Sequence, residues 1–510
     1  MRPWYFVAAT LVVLAKATAA SPNVLFVAVD DMNDWVGFLD GYPGEEHTPN
    51  LDRLAAQGTA FTNAHVAAPV CCPSRAAVMS GRLPTSTGIY GNQQWIKPHL
   101  PKLDTLPQTF RNHGYHAVGS GKIFHHTAGN NAPGQWDLYR RLVFTDDSWA
   151  RTSPLLYPYS PHKALPKNFP FCGITLYSRE VDWGTLAKPE KDYDDAQTID
   201  FGIEFLSKKK DKPFFLACGV FHPHLPWYVP QKYLDLYPLD SIVLPEAPSD
   251  DLDDVPKPGR QLALHKSDNL KKIRDRGKWK EAVRHYLASI SFADAQVGRL
   301  LNALEKSAHA KNTIVVLWSD HGWHLGEKGH WHKRTLWEEA TRVPLVIAAP
   351  SHGKPGQRCS RPVSLIDLYP TLLELCRLPP KAGLDGDSLV PLLKNPQAPR
   401  RKPAIIVEAG RHVAIRDERF RYVRYGDGSE ELYDHEDDPN EWSNRAKDPK
   451  LAEVKERLAQ WIPKKWAKQA PTKNAYRFDP WKYEWTVKAT GDVISGGSCK
   501  IIPTPRKPEK

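Results

Sequence analysis

The chain has 510 residues, 41% hydrophobic and 25% charged, which excludes a disordered or fibrous protein and leaves room for one large core beside a smaller unit. Its 69 Lys and Arg outnumber its 58 Asp and Glu, for a net charge of +11 and a pI of about 9.1, a balance that favours polyanionic partners without naming one. No basic run with interleaved aromatics and no zinc-finger spacing is present, so nucleic acid is set aside as a partner.

Residues 1–20 read as an export signal. Arg2 supplies the positive charge, Trp4 to Leu14 is mostly apolar, and Ala17-Thr18-Ala19 is an A-x-A site. The apolar run is too short to span a bilayer, and no second candidate follows. The mature protein is therefore expected to be exported (periplasmic or secreted, lysosomal in a eukaryote) with no stable membrane span. Seven cysteines are present; disulfides are permitted in that setting, but their pairing is not readable from sequence.

Asn23 to Val29 is a continuous apolar run, as in a buried parallel strand, and it ends in Asp30-Asp31. Ligands bind at that end of open α/β sheets, and two adjacent carboxylates repel unless a cation sits between them. Thr48 to Leu54 starts a short helix, capped by Thr48 or Asn50 and ended by Gly58. The stretch 67–91 follows. It holds Val70-Cys71-Cys72-Pro73-Ser74-Arg75 and reads as a loop feeding a helix that Gly81 stops. Pro73 suits the first turn, and Ser74 can satisfy free backbone N–H groups there. A side chain just before that turn faces the positive end of the helix dipole, a natural place for a nucleophile near an anion.

Leu103 to His113 reads as a helix and His116 to Val118 as a strand. That strand runs into Gly119-Ser120-Gly121-Lys122-Ile123-Phe124-His125, where glycine lets backbone approach a ligand. Residues 127–192 read as long loops over the sheet, a substrate rim with Trp136, Tyr139, Trp149, Tyr157 and Tyr159. Asp194 to Lys208 is helical. Lys212 to Gly219 is a buried strand that delivers His222-Pro223-His224-Leu225-Pro226, whose prolines fix the direction of His224. Residues 240–280 read as a surface loop.

Tyr286 to Ala308 is an amphipathic helix whose apolar face, with Ile290, Phe292, Val297, Leu300, Leu301 and Leu304, is core. Thr313 to Trp318 is another buried strand, ending in Asp320-His321. With Asp30 and Asp31 these make an oxygen-rich set that favours Ca²⁺ or Mg²⁺ over zinc. His324, His330 and His332 look like loop residues and receive no role. Arg342 to Ile347 is a strand and Ser364 to Leu375 a helix. After about residue 385 come short strands at 404–407, 412–416, 420–425 and 431–433, then a helix over 450–461. The expected division is a signal at 1–20, a catalytic domain at 21–385, an α+β subdomain at 386–465 and a basic tail at 466–510. Residues 506–510 are expected to be disordered.

The run Cys71-Cys72-Pro73-Ser74-Arg75 matches the C-x-P-S-R signature of type I sulfatases, ending in Ser80-Gly81-Arg82 where that family usually has Thr-Gly-Arg. Gly121-Lys122 with His125, Pro223-His224, the run Ala293 to Leu301 and the run Ser319 to Lys333 match as well. From about residue 22 to 445 the chain resembles the formylglycine-dependent sulfatases, most closely the iduronate 2-sulfatase type. The resemblance implies an α/β fold of the alkaline-phosphatase type: a large mixed, mostly parallel sheet flanked by helices, with a smaller C-terminal antiparallel-sheet subdomain.

It also implies that a maturation enzyme oxidises Cys71 to formylglycine, with Cys72 at the variable position. Ca²⁺, or Mg²⁺, would be held by Asp30, Asp31, residue 71, Asp320 and His321. The aldehyde hydrate would attack sulfur in line and expel the sugar alcohol, and its second hydroxyl would then eliminate sulfate, a step serine cannot perform. Arg75 and the metal would lower the cost of the alkoxide. Lys122, Lys333 and His224 would neutralise the sulfate oxygens, with His224 also the proton donor to the leaving oxygen, His125 holding the diol and Asp320 able to accept a proton. The exported setting and basic pI suit a sulfated polysaccharide or glycosaminoglycan-derived oligosaccharide. The alternatives are a phosphate or phosphonate ester hydrolase of the same superfamily, and a non-catalytic polyanion-binding protein if Cys71 stays unmodified.

Overall fold

The computed structural model of the protein describes residues 21–140, 170–176, 181–265, 268–350, 352–480 and 482–502. The expected export signal, the rim residues Trp149, Tyr157 and Tyr159, and the end of the tail at 506–510 lie outside those residues.

Three apolar runs build the centre. Asn23–Asp30 pairs in parallel with Thr313–Ser319 on one side and with Phe214–Pro223 on the other. His116–Gly121, Leu138–Arg140 and Lys500–Ile502 extend the sheet in parallel beyond Phe214–Pro223. On the far side Leu345–Ala348 runs antiparallel, followed by Thr59–Phe61 and Gln357–Cys359, to give nine strands. This is the mixed, mostly parallel sheet that the resemblance implies.

The runs are continuous because both faces are covered. Leu25, Val27 and Val29 pack with Ile290, Phe292, Val297 and Leu300 of the long helix Trp279–Glu305 and with Ile199 of Asp194–Leu206. The alternate residues Val24, Phe26 and Ala28 pack with Val78, Phe110, Leu368 and Leu372 on the opposite side. Period-two alternation thus divides one strand between two helical layers.

The short strands after residue 400 form a four-stranded antiparallel meander, Ala404–Glu408, His412–Arg416, Phe420–Arg424 and Glu430–Asp434. The helix Ala452–Ala459 follows. Fully buried Arg421 pairs with Glu338, in the short helix Glu338–Thr341 that leads into Leu345–Ala348, and with Glu441, while Trp337 Nε1 donates to Glu431 at 2.8 Å.

Three expectations change. Residues 240–280 are not all loop: they contain the helices Lys257–Leu264 and Asp268–Asp275, each too short to show more than a turn or two of apolar period. Trp136 and Tyr139 are buried rather than on a rim: Tyr139 belongs to the strand Leu138–Arg140, and its hydroxyl donates to the Gly121 carbonyl at 2.5 Å. The segment read as a basic tail folds: Tyr476–Asp479, Glu484–Val487 and Val493–Ser495 form a three-stranded sheet, and Lys500–Ile502 becomes an edge strand of the main sheet.

Candidate active site

The helix Cys71–Ser80 starts at Cys71, after an extended Val70, and stops at Gly81 in the left-handed conformation (φ 65°). Its residues are all buried. Ser74 does not cap it, contrary to expectation: its hydroxyl lies inside the first turns and donates to the Asp320 carbonyl at 2.6 Å. Arg75, one residue on, has no exposed surface and fans between two strand ends. Its Nε donates to Asp320 at 2.7 Å, one terminal nitrogen to Asp30 at 2.9 Å, and the other to the carbonyls of Lys122 and Ile123. One guanidinium therefore ties the helix to three strands, a geometry only Arg can supply.

Asp30 and Asp31 leave the central strand where its register with Phe214–Pro223 shifts between Val29 and Asp30. Asp31 adopts positive φ (61°). Two groups hold this bend. The Tyr286 hydroxyl donates to the Asp31 carbonyl at 2.8 Å and accepts from Asn33 N–H at 3.0 Å, while Ser319 Oγ accepts from Met32 N–H at 3.0 Å. Asp320 accepts from the Asp31 N–H at 3.1 Å. His321 Nδ1 lies 3.1 Å from the Gly322 carbonyl, to which it donates, so Nε2 is the free lone pair. That atom stands 3.2 Å from Cys71 Sγ, 3.3 Å from Asp31 and 3.6 Å from Asp320.

Lys122 enters through a close crossing of backbones. A Cβ on Gly121 (φ 79°) would stand 2.0 Å from the Gly219 carbonyl, and one on Gly219 would stand 2.3 Å from the Lys122 backbone. These glycines serve strand crossing rather than approach to a ligand, and the turn they allow brings Lys122 Nζ onto Asp30 and within 3.9 Å of Cys71 Sγ. Lys333 Nζ donates to both oxygens of Asp31 at 2.7 and 2.9 Å and sits 3.2 Å from Cys71 Sγ. His224 lies between two cis X-Pro bonds, His222-Pro223 and Leu225-Pro226. Its Nδ1 donates to the Leu225 carbonyl at 2.6 Å, leaving Nε2 3.8 Å from Asp31. His125 is buried, and its Nδ1 has no hydrogen-bond partner among the described residues, as for a nitrogen aimed at a ligand. Asp30, Asp31, Cys71, Arg75, Lys122, His224, Asp320, His321 and Lys333 thus lie together, with His125 buried three residues beyond Lys122.

The cluster offers a cation a set of ligands. Asp30, Asp31, Cys71, Asp320 and His321 each offer a ligand atom within 4.8 Å of all the others, and all five are buried. Burial and the neighbouring Asp320 push the Asp30 carboxyl up to about 7, and burial also raises Asp31. Asp320 is held well below the usual carboxylate range: Arg75, His321 and Lys122 outweigh its burial. Three carboxylates against Arg75, Lys122 and Lys333 leave the cluster formally neutral. A divalent cation would bring it to two positive charges, matched to a sulfate group. The donor set, carboxylate oxygens with one imidazole, fits a hard ion of the Ca²⁺ or Mg²⁺ kind. The unmodified Cys71 thiol is pushed up by burial despite Lys122 and Lys333, so it is poorly disposed to act as a thiolate.

Sequence reasoning missed the supports. Tyr286 looked like one more core position of an amphipathic helix. Asp195 takes the N–H groups of Phe221 and His222 at 2.6 and 3.0 Å and touches His222 Nδ1 at 2.6 Å, fixing the turn that carries His224. His324 and His330 are fully buried rather than on an open loop. His324 Nε2 contacts Thr335 Oγ1 at 2.6 Å, and His330 bridges the Ala263 and Lys333 carbonyls at 2.6 and 3.0 Å, under the turn that carries Lys333.

Comparison with known proteins gives a consistent picture. Residues 22–378 match the family model described as Sulfatase, and residues 326–468 match that of the N-sulphoglucosamine sulphohydrolase C-terminal region. The chain is 38% identical over 496 residues to a sulfatase of Formosa agariphila, covering 94% of this chain and 93% of that one. It is 32% identical over 421 residues to the iduronate 2-sulfatase of Homo sapiens, covering 72% and 71%. The solved structure of BT4656 in complex with its substrate D-glucosamine-2-N,6-O-disulfate superposes with a TM-score of 0.67 at 23% identity, over 87% of this chain and 97% of that one.

Proposed function

Because this chain belongs to the sulfatase family, we propose that it is an exported hydrolase of sulfate esters on a sulfated saccharide, acting through a formylglycine at position 71 and a divalent cation. The observation that carries the reading is the surrounding of Cys71: Lys333 and His321 at 3.2 Å, Lys122 at 3.9 Å, and Arg75 locking Asp30 and Asp320 behind them. Oxidised to the aldehyde and hydrated, residue 71 supplies an oxygen nucleophile that can later release sulfate by elimination. A divalent cation would be held by Asp30, Asp31, Asp320 and His321 and would supply Lewis acidity.

The remaining chemistry belongs to the chain. Lys122 and Lys333 approach residue 71 from two sides and balance charge on the sulfate oxygens as the S–O bond breaks. Burial holds the His224 imidazole well below its ordinary pKa, with Lys122 and Lys333 adding to the effect. With Nδ1–H donating to Leu225 and the ring neutral, Nε2 carries a lone pair; it passes a proton to the leaving alcohol only once the anionic substrate has raised its pKa and protonated it. His125 presents an unpartnered Nδ1 to the diol. Asp320, anchored by Arg75, can take the proton that the diol gives up.

Support for a saccharide comes from relatives named for iduronate 2-sulfate and from the structural neighbour bound to a disulfated glucosamine. The basic pI agrees with a polyanionic substrate. The test is release of free sulfate from a panel of sulfated oligosaccharides, with an aryl sulfate and a phosphate ester alongside and Cys71→Ala as control. Sulfate release that the substitution abolishes supports the proposal. Phosphate release alone assigns the site to the rival ester hydrolase, and no turnover by a fully converted enzyme points to binding.

A further inference from the structure

We propose that Lys473, brought in by the C-terminal segment, binds a second anionic group of the substrate, a sulfate or a carboxylate, beside the pocket for the scissile sulfate. The inference rests on the sulfatase reading of that pocket and names its substrate class: saccharides with a further negative charge near the ester that is cut.

The segment 467–473 is laid along the chain that follows the nucleophile helix. Ala467 N–H donates to Thr85 at 2.7 Å, Ala470 N–H to Gly88 at 2.8 Å and Lys473 N–H to Gln93 at 2.7 Å, while Gln94 Nε2 donates to the Ala470 carbonyl at 2.7 Å. The approach is close enough that a Cβ on Gly88 would stand 2.4 Å from the Lys468 carbonyl. The strap is therefore fixed, and it places Lys473 at the edge of the site. Lys473 Nζ donates to Thr127 Oγ1 at 2.6 Å, two residues beyond His125, and lies 5.7 Å over the Trp95 ring. Asn130 Nδ2 donates to the same Thr127 oxygen at 2.6 Å, and Asn130 Oδ1 meets Cys72 Sγ at 3.7 Å. Residue 72 adjoins residue 71, so Thr127, Asn130 and Cys72 link the lysine to the reacting centre.

What sets this lysine apart is its missing counter-ion. Lys122 pairs with Asp30, Lys333 with Asp31, and Arg75 with Asp30 and Asp320. Among the described residues no carboxylate lies within ion-pair distance of Lys473. It is partly buried, and that burial pulls its pKa down. Its charge also opposes protonation of His125 and His126. A partly desolvated ammonium without a partner gains from an anion that arrives with the ligand. Its neighbour Thr127 is half-buried as well, so the spot opens to the rim. The scissile sulfate already has Lys122 and Lys333; an anion at Lys473 belongs to another substituent.

The experiment compares three disaccharides with one sulfate ester in common: one otherwise neutral, one with a second sulfate and one with a carboxylate. Turnover is measured for the wild type, Lys473→Ala and Lys473→Arg, and binding is measured by calorimetry in a Cys71→Ala background. The loss in kcat/KM caused by Lys473→Ala should be at least tenfold greater on a doubly anionic disaccharide than on the neutral one. It should appear mainly in KM, with Lys473→Arg restoring most of it. The arm that loses more tells sulfate from carboxylate. Equal losses on all three, or none, overturn the proposal. If no disaccharide is hydrolysed by any form, the sulfatase reading fails, and the calorimetric preference for doubly anionic ligands still decides the role of Lys473 by its presence or absence.

Discussion

Tyr286→Phe removes one oxygen from the least accessible support of the site. The ring stays: its edge contacts with Trp35 at 5.8 Å and Trp227 at 5.3 Å need no hydroxyl. Two hydrogen bonds go, the donation to the Asp31 carbonyl at 2.8 Å and the acceptance from Asn33 N–H at 3.0 Å. Tyr286, Asp31 and Asn33 are all fully buried, so water cannot replace the oxygen. A hydrogen bond contributes about 1 kcal/mol net, and a buried group left without a partner costs about 1–3 kcal/mol. The expected loss is therefore about 2–4 kcal/mol in global stability.

The bend at Asp31 (φ 61°) would also be held less tightly. Supports of a metal ligand typically change metal affinity by about 10–100-fold. The half-saturating Ca²⁺ concentration for sulfate release, after chelation and readdition, should rise by that factor. Urea denaturation measures the first effect, and a Ca²⁺ titration of activity the second. A variant within about 0.5 kcal/mol of wild type, with an unchanged Ca²⁺ titration, would refute the reasoning that the tyrosine holds this bend.

Two further perturbations test the framework around the site. Asp294 of the long helix caps the helix Pro49–Gln57 from a distance, taking the N–H groups of Asn50 and Leu51 at 3.0 and 2.8 Å and Asn50 Nδ2 at 2.7 Å, so Asp294→Ala should cost about 2–3 kcal/mol by urea denaturation. Burial pulls His285 from 6.5 down to about 4, so the folded protein binds fewer protons than the unfolded chain between those values. Stability should fall as pH drops from about 6.5 to 4, by up to about 3 kcal/mol from this residue, and His285→Gln should flatten the slope of urea midpoint against pH in that window.

The strands and the dipeptides at their ends were legible because burial on both faces leaves an uninterrupted apolar signal. Asp30-Asp31 and Asp320-His321 stand out as charge at the end of such runs. Position in the sheet then brings them together: Val29 is in register with Ser319, so the two pairs are neighbours by construction. Cys71 and Arg75 were legible as a spaced motif. The role of Ser74 was not, because a hydroxyl near a helix start favours the local reading, a cap, and its real partner is the Asp320 carbonyl 246 positions away. Tyr286 and Asp195 were hidden for the same reason: each supports the site through backbone groups that carry no sequence signature. Lys473 lies in a stretch with weak periodicity, and only the fold shows that it borders the helix begun 402 positions earlier. Residues 240–280 misled because their two helices are short and the first starts among prolines.

The most direct test of the account is the chemistry of residue 71 in the protein that turns over. Peptide mass spectrometry of the fragment containing Cys71 should show the aldehyde in place of the thiol. The rate of sulfate release from a sulfated oligosaccharide should rise in proportion to the converted fraction and vanish in Cys71→Ala. Sulfate release by protein whose Cys71 remains entirely a thiol, or undiminished release by Cys71→Ala, would contradict it.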